Sequence, residues 1–225
     1  MQGQVRLFGC PLGELDRRSI ARRIAVVPQR AEVAFDFTVE QVVRMGRAPH
    51  QGSMQIPSAS DIKAVESALT RTHLVSLAHR PVSGLSGGEQ KRVAVARALA
   101  QQPDVLILDE AGAHLDIRHK LELMCIVRQE VRDHNLACLS VMHDLTEVAQ
   151  TADRVAILHK GCLRALGTVD QVMTREILRE VFEVDIHVGT NELDGSRYFV
   201  PIRPDPQPRN NKTPSNLDQT HQPEL

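Results

Sequence analysis

The part of this chain best suited to chemistry is an apolar run ending in two adjacent carboxylates, Val105-Leu106-Ile107-Leu108 followed by Asp109-Glu110. At the carboxyl end of a buried strand, one carboxylate can bind a hard divalent cation directly or through water. Its neighbour can orient or deprotonate a water. Upstream, Leu85-Ser86-Gly87-Gly88-Glu89-Gln90 leads into a segment with Val93, Ala96 and Ala100 at helical spacing. Two glycines at a helix start let backbone N–H groups and the helix dipole approach an anion with no Cβ in the way, and Ser86 adds a hydroxyl. Downstream, Ala137 to Met142 ends in His143-Asp144; an imidazole with two ring nitrogens suits contact with a phosphate. Each feature has a plainer reading when taken alone. Asp-Glu after an apolar strand is more often a solvated loop start, and Ser-Gly-Gly a loop and helix cap. In this order and at this spacing they point to a magnesium-bound nucleotide.

The elements that must position these residues read as strand, helix, strand. Val105 to Asp109 is continuously apolar up to its acid, as a parallel strand buried on both faces requires. The stretch after it places Ile117, Leu121, Met124 and Val131 on one helical face, and Ala137 to Met142 gives the next buried strand. Together they make a right-handed βαβ unit of an α/β sheet. Nearer the start, Val5 and Leu7 alternate as the tail of a sheet closed by a turn at Gly9-Cys10-Pro11. A basic helix from about Leu15 to Arg23 follows, then a short strand Ile24–Val27 stopped by Pro28. Residues 31 to 60 read as irregular. Asp61 to Leu69 and Leu74 to Ala78 read as helical, with Asp61 a candidate N-cap. Residues 154–158 and 163–166 flank His159-Lys160-Gly161-Cys162 as a hairpin. From about Pro204 the composition turns to Pro, Asn, Gln and Asp, so residues 204–225 read as a disordered tail.

Bulk composition narrows the function classes. The 225 residues carry 27 basic and 28 acidic side chains, a formal net charge of -1. That balance disfavours nucleic acid, whose phosphates call for excess Lys and Arg. No apolar run approaches the ~20 residues of a membrane span. Cys10, Cys125, Cys138 and Cys162 form no C-x-x-C pair, which disfavours a disulfide or zinc framework and suits a reducing cytosol. Cys125 and Cys138 read as small apolar core residues. With no Trp and Tyr198 the sole tyrosine, aromatic stacking platforms for nucleic acid are absent.

From Val5 to about Val188 the chain resembles the ATP-binding subunit of ABC transporters. Leu85 to Gln90 match the family signature motif, Val105 to Asp109 the Walker B strand and Glu110 the catalytic carboxylate. Gln29, after Val26-Val27-Pro28, matches the Q-loop glutamine; His114-Leu115-Asp116 match the D-loop and His143 the switch histidine. The resemblance implies a P-loop NTPase-like parallel sheet core, incomplete at the N-terminus, with a helical subdomain (about 31–100) and a C-terminal hairpin, all within residues 1–203. It implies ATP and Mg²⁺, with Asp109 in the metal shell, Glu110 polarising the attacking water, and His143 on the γ-phosphate. Gln29 would link the metal to the membrane-facing subdomain. Ser86, Gly87 and Gly88 would reach the nucleotide of an opposite subunit, with Asp116 at that dimer interface. The implied partners are a second nucleotide-binding subunit, integral membrane permease subunits and, indirectly, a substrate-binding protein. The implied location is the cytoplasmic face of the cell membrane. Phe37-Thr38-Val39-Glu40-Gln41-Val42-Val43, then Met45-Gly46-Arg47-Ala48-Pro49-His50, is similar to importers of ferric siderophores, haem and cobalamin.

Two departures from the family pattern stand out. No Gly-Lys dipeptide occurs and the first lysine is Lys63, so the phosphate loop G-x-x-x-x-G-K-[ST] has no counterpart here. The expected deficit is roughly 30–50 residues ahead of Met1, and this polypeptide alone is expected to bind ATP poorly and hydrolyse it undetectably. After Glu110 the sequence runs Ala111-Gly112-Ala113 where the family has Pro-Thr-Ser or a close variant, which loosens the backbone beside the carboxylate. A truncated, catalytically inactive interaction partner is the alternative reading. An ABC ATPase acting on DNA or ribosomes is disfavoured, since the interval from Gln29 to Ser86 leaves no room for a coiled-coil insertion.

Overall fold

The computed structural model describes residues 3–29, 36–52, 56–113 and 115–203, so the tail 204–225 and His114 lie outside the described residues. The chain divides into two compact units, 1–151 and 152–225.

In the first unit, β1 (Arg6–Leu7) pairs antiparallel with β2 (Cys10–Pro11). The turn therefore falls at Phe8-Gly9, both at positive φ, and Cys10-Pro11 belongs to the strand beyond it, not to the turn. Asp16 caps α1 (Arg17–Arg23) by accepting from the Ser19 N–H, so the basic helix starts two residues later than its composition suggests. It leads directly into β3 (Ile24–Val27). Three helices follow, α2 (Val39–Met45), α3 (Ala59–Arg71) and α4 (Gly87–Ala100). Then come β4 (Val105–Asp109), α5 (Ile117–His134), β5 (Ala137–Val141) and α6 (Leu145–Thr151). The α2 segment corrects the irregular reading of 31–60. Its β-branched valines read as poor helix formers, yet a Thr38/Gln41 capping box starts it and Val39, Val42 and Val43 are buried. Asp61 is not the N-cap of α3. Ser58 is, with Asp61 as the reciprocating third helical residue.

The sheet is parallel with order β3-β4-β5, and its register runs Val27↔Leu108 and Asp109↔Val141. Ala25, Val27, Leu106 and Leu108 point into a core built with Val93, Val95 and Ala96 of α4 and Leu123, Ile126 and Val127 of α5. Those α5 residues replace the face read from the sequence: Ile117 and Leu121 are exposed. Nor is the sheet buried on both sides among the described residues, since Val26, Leu139 and Val141 remain 50–58% exposed. All four cysteines, Cys125 and Cys138 included, are also exposed rather than in the core.

The turn between α2 and α3 is the joint of the helical layer. A Cβ on Gly46 would lie 2.1 Å from the Arg97 carbonyl oxygen, so only glycine lets α2 end against α4. Arg47 is buried and donates to Asp61 (2.8 Å), the Ala100 carbonyl (2.7 Å) and Gln102 (3.0 Å). His50 donates to the Gln101 carbonyl at 2.9 Å, while Arg18 and Arg22 of α1 hold the Pro49 carbonyl.

The second unit holds two antiparallel hairpins. β6 (Val155–His159) and β7 (Cys162–Gly167) turn at Lys160-Gly161, both at positive φ. After α7 (Val169–Val172) and α8 (Arg175–Phe182), β8 (Ile186–Thr190) pairs with β9 (Arg197–Pro201). This second hairpin is not evident in the sequence. Its Gly189 lies under the Tyr198 ring, where a Cβ would meet Cζ at 2.2 Å. Among the described residues no helix is long and apolar enough to cross a membrane.

Candidate functional site

Parallel pairing delivers the ends of three strands to one edge. Ligands of open α/β sheets sit at the carboxyl ends of strands, and here those ends carry Gln29, Asp109-Glu110 and His143. The Glu110 N–H still donates to the Val141 carbonyl at 3.2 Å, and then the chain turns sharply: Glu110 adopts φ 46°. For a residue with a Cβ this left-handed conformation is unfavourable and persists only where neighbours hold it. The holders are visible. The Ala113 N–H donates back to the Glu110 carbonyl at 2.9 Å, and Ala111 is buried in the main core. The Gln29 amide donates to the Glu110 carboxylate at 2.7 Å, and His143 Nδ1 stands 3.9 Å from its other oxygen. Ala111-Gly112-Ala113 thus still forms a closed turn, with Gly112 packed near Glu147 and Lys120.

The residues after His143 are fixed by a cation that composition does not reveal. Asp144 caps α6 through the Thr146 and Glu147 N–H groups. Lys120 of α5 reaches Glu147 at 2.6 Å and Asp144 at 3.6 Å. Desolvation opposes the charge on Lys120, but the two carboxylates outweigh it and hold the ammonium above its ordinary value. Lys91 is the second residue missed. Its Nζ donates to the Gln29 carbonyl at 2.6 Å and the Pro28 carbonyl at 3.2 Å. Burial pushes its pKa down, against the attraction of Asp109.

Ser86, Gly87, Gly88 and Asp116 form a second group. Ser86 caps α4: its hydroxyl accepts from the Glu89 N–H at 3.3 Å and donates to the Glu89 carboxylate at 2.8 Å. Asp116 caps α5 through the His119 N–H at 2.9 Å and also accepts from His119 Nδ1 at 2.7 Å. Thus held, the His119 ring lies where a Cβ on Gly88 would meet it at 2.5 Å. One turn further, Arg92 of α4 pairs with Glu122 of α5 at 2.9 Å. The glycine pair therefore serves close helix approach at Gly88 as well as an open helix start at Gly87, where a Cβ would meet nothing.

The donor set suits a hard cation. Asp109 is exposed at the strand end, and Glu110 and the Gln29 amide oxygen add further oxygen donors. Among the described residues no three His, Cys, Asp or Glu side chains gather as a ready metal cage. A cation here would take most of its ligands from phosphate and water, which is how Mg²⁺ is usually held beside a nucleotide.

Comparison with known proteins identifies the family. The ABC transporter family model matches residues 1–113. The hemin import ATP-binding protein of Streptomyces coelicolor is 41% identical over 202 residues, covering 90% of this chain and 71% of the relative. The cobalamin import ATP-binding protein of Halobacterium salinarum is 37% identical over 200 residues, covering 89% of this chain, which spans only 50% of that relative. Among solved structures, an inward-facing metal-chelate type ABC transporter superposes with TM-score 0.76 at 25% identity, over 80% of this chain and 73% of the other. The chain belongs to the ABC transporter family, as one of its ATP-binding subunits, the ATPases that power transport.

Proposed function

We propose that this chain supplies the ATP-hydrolysing machinery of an importer that takes up a metal chelate or tetrapyrrole: a ferric siderophore, haem or cobalamin. The observation that carries the catalytic part is the Gln29–Glu110 hydrogen bond of 2.7 Å, made at adjoining strand ends with His143 beside the same carboxylate. Asp109 and Gln29 would hold Mg²⁺, which neutralises charge developing on the phosphates. Glu110, aimed by the left-handed turn and the Gln29 amide, accepts a hydrogen bond from the attacking water and draws its proton. His143 contacts the γ-phosphate. Ser86, Gly87 and Gly88 present the start of α4 to a nucleotide bound by an opposing subunit, and Asp116 lies at that junction. Two nucleotide-binding subunits therefore act together on membrane permease subunits, served by a substrate-binding protein, at the cytoplasmic face of the membrane. Within residues 31–100, α2, α3 and α4 belong to the subdomain that faces the permease.

The cargo class is supported by the hemin and cobalamin importers among the relatives and by the metal-chelate transporter among the structures. The test uses the full ATPase assembled with its permease. Glu110→Gln should reduce hydrolysis by at least about a hundred-fold while nucleotide still binds. Uptake of hemin, cobalamin and ferric siderophores, measured side by side in cells lacking the transporter and in complemented cells, should single out one of them. Undiminished turnover in the Gln variant would remove Glu110 from the chemistry. Uptake of none of the three would reject the cargo class.

A further inference from the structure

The start of α4 and the end of β3 are joined by one side chain. Lys91 sits on the second turn of α4, the helix opened by Ser86-Gly87-Gly88, and its ammonium donates to the carbonyls of Pro28 (3.2 Å) and Gln29 (2.6 Å). These carbonyls lie just past the last ladder pair, Val27↔Leu108, where strand pairing no longer fixes the backbone. Pro28 has no N–H to contribute. An ammonium with three donors on a long stem can serve two divergent carbonyls at once. The backbone it grips belongs to the residue whose side-chain amide is 2.7 Å from Glu110.

We propose that Lys91 is a positioning residue that clamps the Gln29 backbone to the signature helix, so that the Gln29–Glu110 contact and the Ser86–Gly88 turn shift as one body. The proposal rests on the catalytic reading of Glu110 and adds a route by which movement of α4 reaches it. A rigid α4 carries the displacement, Lys91 transfers it to Gln29, and the Gln29 amide releases or restores its hold on the carboxylate.

The experiment compares wild type, Lys91→Met, Lys91→Arg, Gln29→Ala and the Lys91→Met/Gln29→Ala double variant in the full ATPase assembled with its permease, with Glu110→Gln as control. Lys91→Met keeps the stem and loses the donors. It should lower kcat roughly ten-fold, the scale set by small misplacements of a catalytic group, with KM for ATP unchanged. Lys91→Arg, which retains several donors, should recover most of the loss. In the Gln29→Ala background Lys91→Met should cost nothing further, because it acts through Gln29. Losses that multiply in the double variant, or a change confined to KM, overturn the proposal. A second measurement does not depend on turnover: backbone amide exchange after β3, at Gln29 and beyond, should accelerate in Lys91→Met while exchange in α5 stays unchanged. Unaltered exchange there also overturns the clamp. If Glu110→Gln hydrolyses normally, the catalytic reading itself has failed; if it is inactive and Lys91→Met is normal, only the clamp has.

Discussion

At the scale of single residues, the glycines of the signature segment do different work. Gly87 faces open space, whereas a methyl group on Gly88 would strike the His119 ring, itself fixed by Asp116. Gly88→Ala is therefore expected to lower stability by about 1–3 kcal/mol, the usual cost of overpacking, while Gly87→Ala changes it little. Combining Gly88→Ala with His119→Ala should return part of the loss. Denaturant melts of the four variants check this, and simple additivity of Gly88→Ala and His119→Ala would rule the contact out. Much of this chemistry was legible beforehand. Residue types and spacing alone singled out Asp109-Glu110, the Ser86 turn and His143, whereas Gln29 entered through the family resemblance; the structure brings Gln29, Glu110 and His143 together. Lys91, Lys120 and His119 were not legible, because a lysine or histidine on a helix looks the same in sequence whether it meets solvent or a carbonyl from a distant segment.

At the scale of elements, helix starts are controlled by short reciprocal caps, and one of them is also a buried ion pair. The Asp61 pKa is lowered to about 2, first by hydrogen bonds from the Ser58 hydroxyl and backbone N–H and then by Arg47. Because the folded value lies below the ordinary 3.8, the carboxylate contributes stability that is complete above about pH 4 and disappears as pH falls toward about 2. Asp61→Asn should thus cost about 2 kcal/mol at neutral pH. The gap to wild type should narrow on acidification across that window; urea melts at a series of pH values read it directly, and a pH-independent gap would contradict the assignment. The same elements show why sequence reading stalled. β4 was evident from five residues because its apolar run is unbroken, but α2 hid behind valines that favour strands. On α5 two alternative apolar stripes coexist, and only packing selects Leu123, Ile126 and Val127 over Ile117 and Leu121.

At the scale of the whole molecule, the first unit carries a sheet with one face packed and an apolar opposite face presented by Val26, Leu139 and Val141. Exposed apolar side chains of this kind favour association of the 225-residue polypeptide. In the 225-residue polypeptide, Leu139→Thr should reduce binding of a hydrophobic dye and self-association while shifting stability by no more than about 0.5 kcal/mol, as for other surface changes; light scattering and a thermal melt would show whether it does. The joint made by Gly46 and Arg47 acts at this scale too. Arg47 is held simultaneously by α3 through Asp61 and by the end of α4 through Ala100, while its own segment continues α2. None of the three helices can leave without stranding a buried guanidinium. They should exchange their amide hydrogens as one cooperative block, so that the helical layer responds to a load as a lever rather than as a hinge.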